Sequence, residues 1–428
     1  MPHTLPRVLV VLPTSWDRRQ LACCRAAWEG HVEPVLGVPD DAGCVDPFDV
    51  HGYVAREAAR RDLAGTFSSS DYPGAAFAAA IDAGAGRSGS GPRTILRASH
   101  KLVMREVLAR AGVDGQPWFT PLDTRARAPS IPSFPCFVKP VKGAYSVFAR
   151  RVESAADLAA FLAHPDVAGY CDEYLAMFNR LWRHYVPDDA ARDGRLFIAE
   201  ELLHGHQVTV EGFVERGQIH VIGVVDSEFY PGTRSFARFV LPSALPTDVQ
   251  RRMESIATHA VAALGLDRTF WNVELVWDEA TDRVALIEVN PRICGQFGDL
   301  YEKVCGRNSY AAALDLAAGR PVTWTRAAGR YAVAASVPLR RFAACVCTQA
   351  PDERTLAAVE ASHVGTLVWS EVQVGQRLRD FAYEDGASVR YAVINLGAES
   401  REALTARAQA IEDALEYRFS PIEGESRV

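Results

Sequence analysis

The chain has 428 residues, of which 48% are hydrophobic and 23% charged, and its formal net charge is -7. These values exclude a mostly disordered or fibrous chain and favour an ordinary globular protein of roughly two to four lobes. The negative charge gives no general attraction to nucleic acid, and no apolar run approaches the ~20 residues that span a bilayer. Nine scattered cysteines form neither a zinc spacing nor a disulfide framework. We therefore expect a reduced, cytoplasmic protein without nucleic-acid or membrane partners.

The first segment alternates short apolar strands with alanine-rich helices. Strands are predicted at 8–12 and 35–38, with a helix at 19–28 between them. This alternation indicates a small parallel α/β lobe. Ser99 is then expected to cap a helix that ends at Gly112, because glycine tolerates the left-handed conformation found after many helices.

Beyond this helix, residues 117–135 form a proline-punctuated connection, and a new lobe begins with a strand at Phe137. The lobes that follow mix helices with antiparallel strands. Helices are predicted at 155–162, 174–185, 247–265, 308–319 and 400–417, and strands at 196–200, 207–213, 220–225, 238–241 and 389–396.

The most informative segment is a predicted hairpin formed by strands 270–277 and 284–290. The period of two in a strand places Glu288 and Asn290 on one face, away from the apolar residues between them. If Trp277 pairs with Arg283, Asn272 lies opposite Glu288 and Glu274 lies diagonal to Glu288 on the same face. Two carboxylates and an amide at this spacing suit a magnesium ion that also binds nucleotide phosphates. The alternative is a half-exposed sheet with solvated polar side chains.

Two earlier segments carry candidate nucleotide contacts. Lys139 lies at a strand end before a loop with Gly143 and Ser146, and such a loop can bend over phosphates while its amides donate to them. Residues 197–211 join two strands through a glycine turn, and their backbone can meet a purine edge. A surface lysine and a plain hairpin are the alternatives.

In order, these features resemble the ATP-grasp superfamily. They are Lys101 in a helix, Lys139 with its glycine loop, the acidic pair Glu200 and Glu201, and Glu274 followed by the Glu-Val-Asn-Pro-Arg motif that ends at 292. The resemblance covers about 99–322, and the flanking lobes are similar to those of D-alanine:D-alanine ligase, L-amino-acid ligases and biotin carboxylase.

The resemblance implies an α/β and α+β protein with a three-lobed ATP-grasp architecture. Its N-terminal parallel α/β domain would span 1–97, and the ATP-grasp domain 98–325, with a small lid at about 136–203. A C-terminal α+β domain at 326–428 would complete the large, antiparallel-sheet lobe.

The resemblance also implies roles for individual residues. Magnesium, for which manganese can substitute, would be bound by Glu274, Glu288 and Asn290. The catalytic residues would be Lys139 and Arg292, with Arg292 facing the reacting carboxylate and its acyl phosphate. ATP would be bound by Lys101, Lys139, Gly143, Ser146, Glu200, Glu201, Leu203 and Gln207, with the Glu200 carboxylate at the adenine amino group.

Some positions depart from the family pattern. Gln207 stands where an acid often holds the ribose, and Ile293-Cys294 follows the arginine where Gly-Gly is common. Substrate contacts are expected from Arg238, Ser235, Arg292 and Gln296. A solvated loop is the alternative for 225–238.

The expected function is an ATP-dependent carboxylate-amine ligase that acts through an acyl phosphate and releases ADP and phosphate. Its partners would be a small, amino-acid-like carboxylate and an amine, and a homodimer is compatible with the sequence. A biotin-carboxylase-like enzyme and a non-catalytic ATP sensor are the alternatives.

Overall fold

The computed structural model describes residues 5–38, 49–123, 131–143, 147–379 and 387–422. Within these ranges, no helix is both long and apolar enough to cross a membrane. The structure combines a parallel sheet with antiparallel sheets, so the predicted mixture of α/β and α+β architecture is confirmed.

The N-terminal lobe contains a three-stranded parallel sheet in the order β2-β1-β3. The central strand β1 (Arg7–Val10) is buried after its first residue, and β2 (Glu33–Leu36) and β3 (Leu63–Phe67) flank it. The helices of this part of the chain are α1 (Ser15–Cys23), α2 (Arg25–Trp28), α3 (Val50–Ala58), α4 (Gly74–Gly84) and α5 (Pro92–Ser99).

The next helix, α6 (Lys101–Arg110), places Lys101 at its first position. Its N-cap is His100, whose Nδ1 accepts from the backbone of Val103 at 3.3 Å. The prediction that Ser99 caps this helix is wrong, because Ser99 is the last residue of the preceding helix. Gly112 follows the helix with a φ of +67°, as its predicted ending requires.

The region predicted as the lid forms, with β4 before it, a four-stranded antiparallel sheet in the order β4-β7-β5-β6. Its elements are β4 (Phe119–Asp123), β5 (Cys136–Pro140), β6 (Arg150–Val152), α7 (Ala155–Leu162), α8 (Pro165–Gly169), α9 (Ala176–Tyr185) and β7 (Leu196–Glu201). The prediction of a mere connection across 117–135 missed β4. This strand lies at the sheet edge, where a proline such as Pro121 is tolerated.

The large lobe is an eight-stranded antiparallel sheet in the order β12-β11-β8-β9-β10-β13-β17-β15. Because β13, β17 and β15 come from the C-terminal part of the chain, that part extends the same sheet. The strands are β8 (His206–Glu215), β9 (Gln218–Phe229), β10 (Phe236–Leu241), β11 (Thr269–Asp278), β12 (Arg283–Asn290), β13 (Val333–Arg341), β15 (Leu367–Ser370) and β17 (Val389–Ala398).

Helix α10 (Thr247–Leu264) buries Val249, Met253 and Ala260 on the stripe that its period of 3.6 predicts, and Gly265 ends it at a φ of 69°. The remaining helices are α11 (Gly298–Cys305), α12 (Ser309–Ala317), α13 (Glu353–Ser362) and α14 (Arg401–Ala414). A second, small antiparallel sheet contains β14 (Cys345–Gln349), β16 (Arg377–Leu378) and β18 (Arg418–Pro421).

Candidate active site

Strands β8, β11 and β12 bring polar residues together in two cross-strand rows. Glu274 pairs directly with Glu288, and Asn272 pairs with Asn290. The predicted register, with Trp277 opposite Arg283 and Glu274 diagonal to Glu288, is therefore wrong. Trp277 instead pairs with Val284, and a bulge shifts the ladder between Glu274 and Leu275. Because this bulge adds Ile287 to β12, Glu274 faces a carboxylate instead of an isoleucine.

The two facing carboxylates differ in their affinity for a proton. Burial, together with the charge of Glu288, raises the pKa of Glu274 to about 8. Burial also opposes ionisation of Glu288, but Lys101 and Lys139 hold its pKa below the ordinary value, and Lys101 Nζ lies 3.1 Å from its carboxylate. A half-buried pair of carboxylates that does not ionise fully on its own suits a divalent cation, which would replace the proton.

Amide side chains donate hydrogen bonds to both carboxylates of this pair. Asn290 Nδ2 donates to Asn272 at 2.9 Å and to Glu288 at 3.3 Å, and Gln207 Nε2 donates to Glu274 at 3.0 Å. The three predicted metal ligands thus lie together, and their oxygen-rich donor set fits magnesium. Gln207 was predicted to contact the ribose, and in this structure its side chain contacts Glu274. Its role at the ribose stays a prediction.

A second cluster joins the lid to α6 and β12. Glu200 accepts from Lys139 at 2.7 Å and from Arg105 at 2.6 Å, and all three side chains are at most 6% exposed. The bulge carbonyl of Ile287 accepts from Arg105 at 2.8 Å and from Lys139 at 3.4 Å. Burial would raise the pKa of Glu200, but Arg105 and Lys139 lower it to about 2. The carboxylate of Glu200 is therefore ionised and held in place.

Arg105 was not singled out from the sequence. Its position three residues from both Leu102 and Leu108 places it on the buried stripe of α6, which was the available signal.

Burial lowers the pKa of Lys139, although Glu200 opposes this effect.

The other predicted ATP contacts lie around these clusters. Gly143 accepts from Lys101 Nζ through its carbonyl at 3.3 Å. Glu201 pairs with Arg283, and its amide donates to the carbonyl of Trp118 at 3.0 Å. Leu203 is half-buried just after β7. Ser146 lies outside the described residues. The roles of all four in nucleotide binding stay predictions.

Arg292 lies beside a carboxylate that the sequence did not reveal. Asp71, from the segment between β3 and α4, is 3.5 Å from Arg292 Nε and 2.5 Å from Lys142 Nζ. Burial would raise the pKa of Asp71, but Lys142, Arg292 and Lys101 hold it well below the ordinary value. The N-terminal lobe therefore supplies a counter-charge to the predicted catalytic arginine and to the lid.

Glu211 is another missed residue. It lies opposite Asn272 in the second cross-strand row and is 4% exposed. Burial raises its pKa to about 7, although Tyr301, Arg292 and Asn272 act to lower it. Its alternation with Thr209 and Gln207 along β8 was the available signal, since all three occupy one face of that strand.

The predicted substrate contacts other than Arg292 lie elsewhere. Arg238 pairs with Glu228 and donates to Thr405 of α14 at 2.8 Å, so the structure does not bring it to the cluster around Arg292. Ser235 is 0% exposed and accepts from Ser388 at 2.8 Å, which leaves no surface for a substrate. Gln296 donates to Ser336 of β13 at 2.7 Å. Arg238 and Ser235 thus have protein partners here, and the substrate roles of Arg238, Ser235 and Gln296 stay predictions.

Comparison with known proteins identifies the fold that carries this site. Residues 132–299 match the model of the ATP-grasp domain. No curated protein sequence matches the chain. Among solved structures, L-amino acid ligase from Bacillus licheniformis is similar with a TM-score of 0.71 and 16% identity, covering 99% of this chain and 100% of the other.

Two further solved structures extend this likeness. Carboxyaminoimidazole ribonucleotide synthase from Aspergillus clavatus, complexed with ATP, has a TM-score of 0.67 and 14% identity over 96% of this chain and 98% of its own. The biotin carboxylase domain of 2-oxoglutarate carboxylase from Hydrogenobacter thermophilus, a dimer with MgADP and bicarbonate, has a TM-score of 0.66 and 14% identity over 98% and 91%. The resemblance predicted from the sequence is thus confirmed: residues 132–299 form an ATP-grasp domain, and the chain as a whole has the ATP-grasp fold.

Proposed function

We propose that the protein is an ATP-dependent carboxylate-amine ligase, with a small, amino-acid-like carboxylate as one substrate. The observation that supports this most is the half-buried Glu274–Glu288 pair, which lies beside Lys101, with Lys139 and Arg292 close by. Phosphoryl transfer needs mainly positioning and charge neutralisation, and this set supplies both without a protein nucleophile.

In the first step, an oxygen of the acid attacks the γ-phosphorus of ATP, and the bond to the β-phosphate oxygen breaks. This releases ADP and leaves an acyl phosphate. Glu274, Glu288 and Asn290 would hold magnesium, which neutralises phosphate charge when bound. Lys101 and Lys139 would exchange their contacts with Glu288 and Glu200 for phosphate oxygens.

In the second step, an amine attacks the acyl carbon, phosphate leaves, and the amine loses a proton. The fork of donors on Arg292 suits the oxygen that becomes negative in the tetrahedral intermediate. Asp71, which also pairs with Lys142, would keep the guanidinium in position. No serine or cysteine nucleophile is required, and burial raises the pKa of the nearby Cys294 thiol to about 12.

The test uses purified protein with ATP, magnesium and a panel of small carboxylic acids, with hydroxylamine as the nucleophile. Hydroxylamine converts an acyl phosphate to a hydroxamate, so the first step is detected before the natural amine is known. We expect ADP and hydroxamate in equal amounts with at least one acid, and neither with Glu288→Gln. ATP binding without ADP release for every acid would contradict the proposal and favour a nucleotide sensor.

A carboxylase is the second candidate, because a biotin carboxylase domain is among the similar folds. It is distinguished in the same assay by bicarbonate. ADP release that depends on bicarbonate and biotin, with no hydroxamate from any other acid, would replace the ligase proposal.

A further inference from the structure

A cavity of about 370 Å³ lies between the N-terminal lobe and the large lobe, and none of the roles assigned above uses it. Helix α4 and strand β3 form one wall, and α12 with the start of β11 forms the other. Its volume falls within the range of small-molecule pockets. Because Pro291, Arg292 and Ile293 border it, the cavity reaches the predicted catalytic arginine.

Where two helices face each other, this cavity is lined by small apolar residues, while much of the remaining lining is polar. Ala75, Ala78 and Ala79 of α4 face Ala313 and Leu316 of α12, and each is at most 8% exposed. Larger side chains at these positions would fill the space, so the space exists because the sequence places alanines on both helices. An apolar group that enters it would be removed from water on both sides.

The charges along the cavity favour an anionic occupant. Asp82, its single lining carboxylate among the described residues, is paired with Arg87 at 2.9 Å. Arg292 and Arg268 also line the cavity, so cationic groups exceed anionic ones. This excess disfavours a cationic side chain in the cavity and suits a carboxylate placed at Arg292.

We propose that this cavity binds the side chain of the acid substrate, and that the protein prefers carboxylic acids with an aliphatic chain over glycine-sized acids. The inference rests on the ligase proposal for its carboxylate end at Arg292. The alanines would then favour acids with longer aliphatic chains, because a longer chain buries more apolar surface area against them.

The experiment compares two series of probes, straight-chain acids from acetate to hexanoate and straight-chain 2-amino acids from glycine to norleucine. Binding to the full chain is measured by calorimetry without ATP, and turnover by ADP and hydroxamate. Affinity, and kcat/KM where turnover occurs, should rise about fourfold per added methylene in at least one series.

Three substitutions test the location. Ala79→Leu fills the inner cavity, and Ala83→Trp places a large group at the exposed outer end of α4, also on the cavity wall. Each should weaken binding of the longest acid by at least about tenfold while the shortest acid changes less than about twofold. Ala85→Trp, two residues on and outside the cavity lining, is the matched control and should change neither. If Ala79→Leu does not fold, the exposed Ala83→Trp still provides the test.

The outcomes separate the two proposals. Binding that rises with chain length and falls in the cavity variants, without ADP or hydroxamate from any acid, supports the cavity and contradicts the ligase. Turnover that is indifferent to chain length, or cavity variants that affect short and long acids equally, overturns the cavity inference and leaves the ligase proposal intact.

Discussion

Arg292 is surrounded by charged side chains that fit either a catalytic role or a structural ion pair. Its guanidinium lies beside Asp71, which also pairs with Lys142. This carboxylate balances two cations that would otherwise face one another. A bound acyl phosphate would offer the same cations a second anionic partner.

Arg292→Ala should lower kcat by at least about 100-fold, by analogy with the loss of a donor to an oxyanion. The measurement is steady-state hydroxamate formation at saturating ATP. Arg326→Ala is the matched control, because Arg326 is a half-exposed arginine that pairs with Glu254 outside the site. A near-normal kcat in Arg292→Ala would remove Arg292 from the catalytic residues.

At the scale of single elements, α6 positions Lys101, the lysine predicted to contact phosphate. Its N-cap, His100, is 0% exposed, and its ring lies 4.7 Å from that of Trp182. Burial lowers the pKa of His100 to about 4. The neutral ring therefore caps the helix that begins with Lys101.

This buried histidine predicts a loss of stability in acid. The unfolded chain gains a proton at His100 below about pH 6.5, whereas the folded chain gains it only near pH 4. Stability should therefore fall across this window, by on the order of 2 kcal/mol at pH 5 from this group. Urea unfolding of the wild type and His100→Asn at pH 7 and pH 5 measures the difference, because asparagine keeps the cap without titrating. Equal losses in both proteins would contradict the prediction.

Two glycines in helical segments should respond oppositely to the same substitution. Gly265 ends α10 in the left-handed conformation, with a φ of 69°, whereas Gly169 at the end of α8 has a helical φ of -56°. A Cβ meets no atom within 4 Å at either position, so backbone preference alone decides. Gly265→Ala should lower the free energy of unfolding by roughly 1–2 kcal/mol. Gly169→Ala should raise it by roughly 0.5–1 kcal/mol. Thermal unfolding of both variants tests this, and shifts of the same sign would refute it.

At the scale of the whole molecule, the first and last parts of the chain are in direct contact. Trp16 stacks on Trp369 with ring centroids 4.0 Å apart, and Arg19 lies over the same ring at 5.1 Å. Arg19 also pairs with Glu360 of α13. These contacts connect α1 to β15, the strand at one edge of the large sheet. They hold the N-terminal lobe, which supplies Asp71, against that sheet.

A double-mutant cycle on Trp16 and Trp369 should give a coupling energy of about 0.5–1.5 kcal/mol, the range for aromatic pairs beyond their buried area. The measurement is chemical unfolding of the wild type, Trp16→Ala, Trp369→Ala and the double variant. Purely additive losses would show that the two rings pack independently and that the lobes are held by other contacts.

The sequence by itself determined the strand pattern of the hairpin, the order of the charged motifs and hence the ATP-grasp resemblance. These are local properties, because the period of a strand fixes which side chains share a face. Glu274, Glu288 and Asn290 could be grouped in this way before any contact was known. The domain boundaries and the ligand roles of individual residues stay predictions.

Only the tertiary structure decided the register and the surroundings of that group. The pairing of Trp277 with Val284 and the bulge at Ile287 together turned the predicted diagonal pair of carboxylates into a facing one. The alternation within a single strand specifies neither its partner's register nor a bulge. Asp71, Arg105 and Glu211 joined the site through partners far along the chain, as Arg105 did with Glu200, 95 residues away. Such pairs form because packing excludes water around them, and the sequence does not record which distant side chains packing brings together.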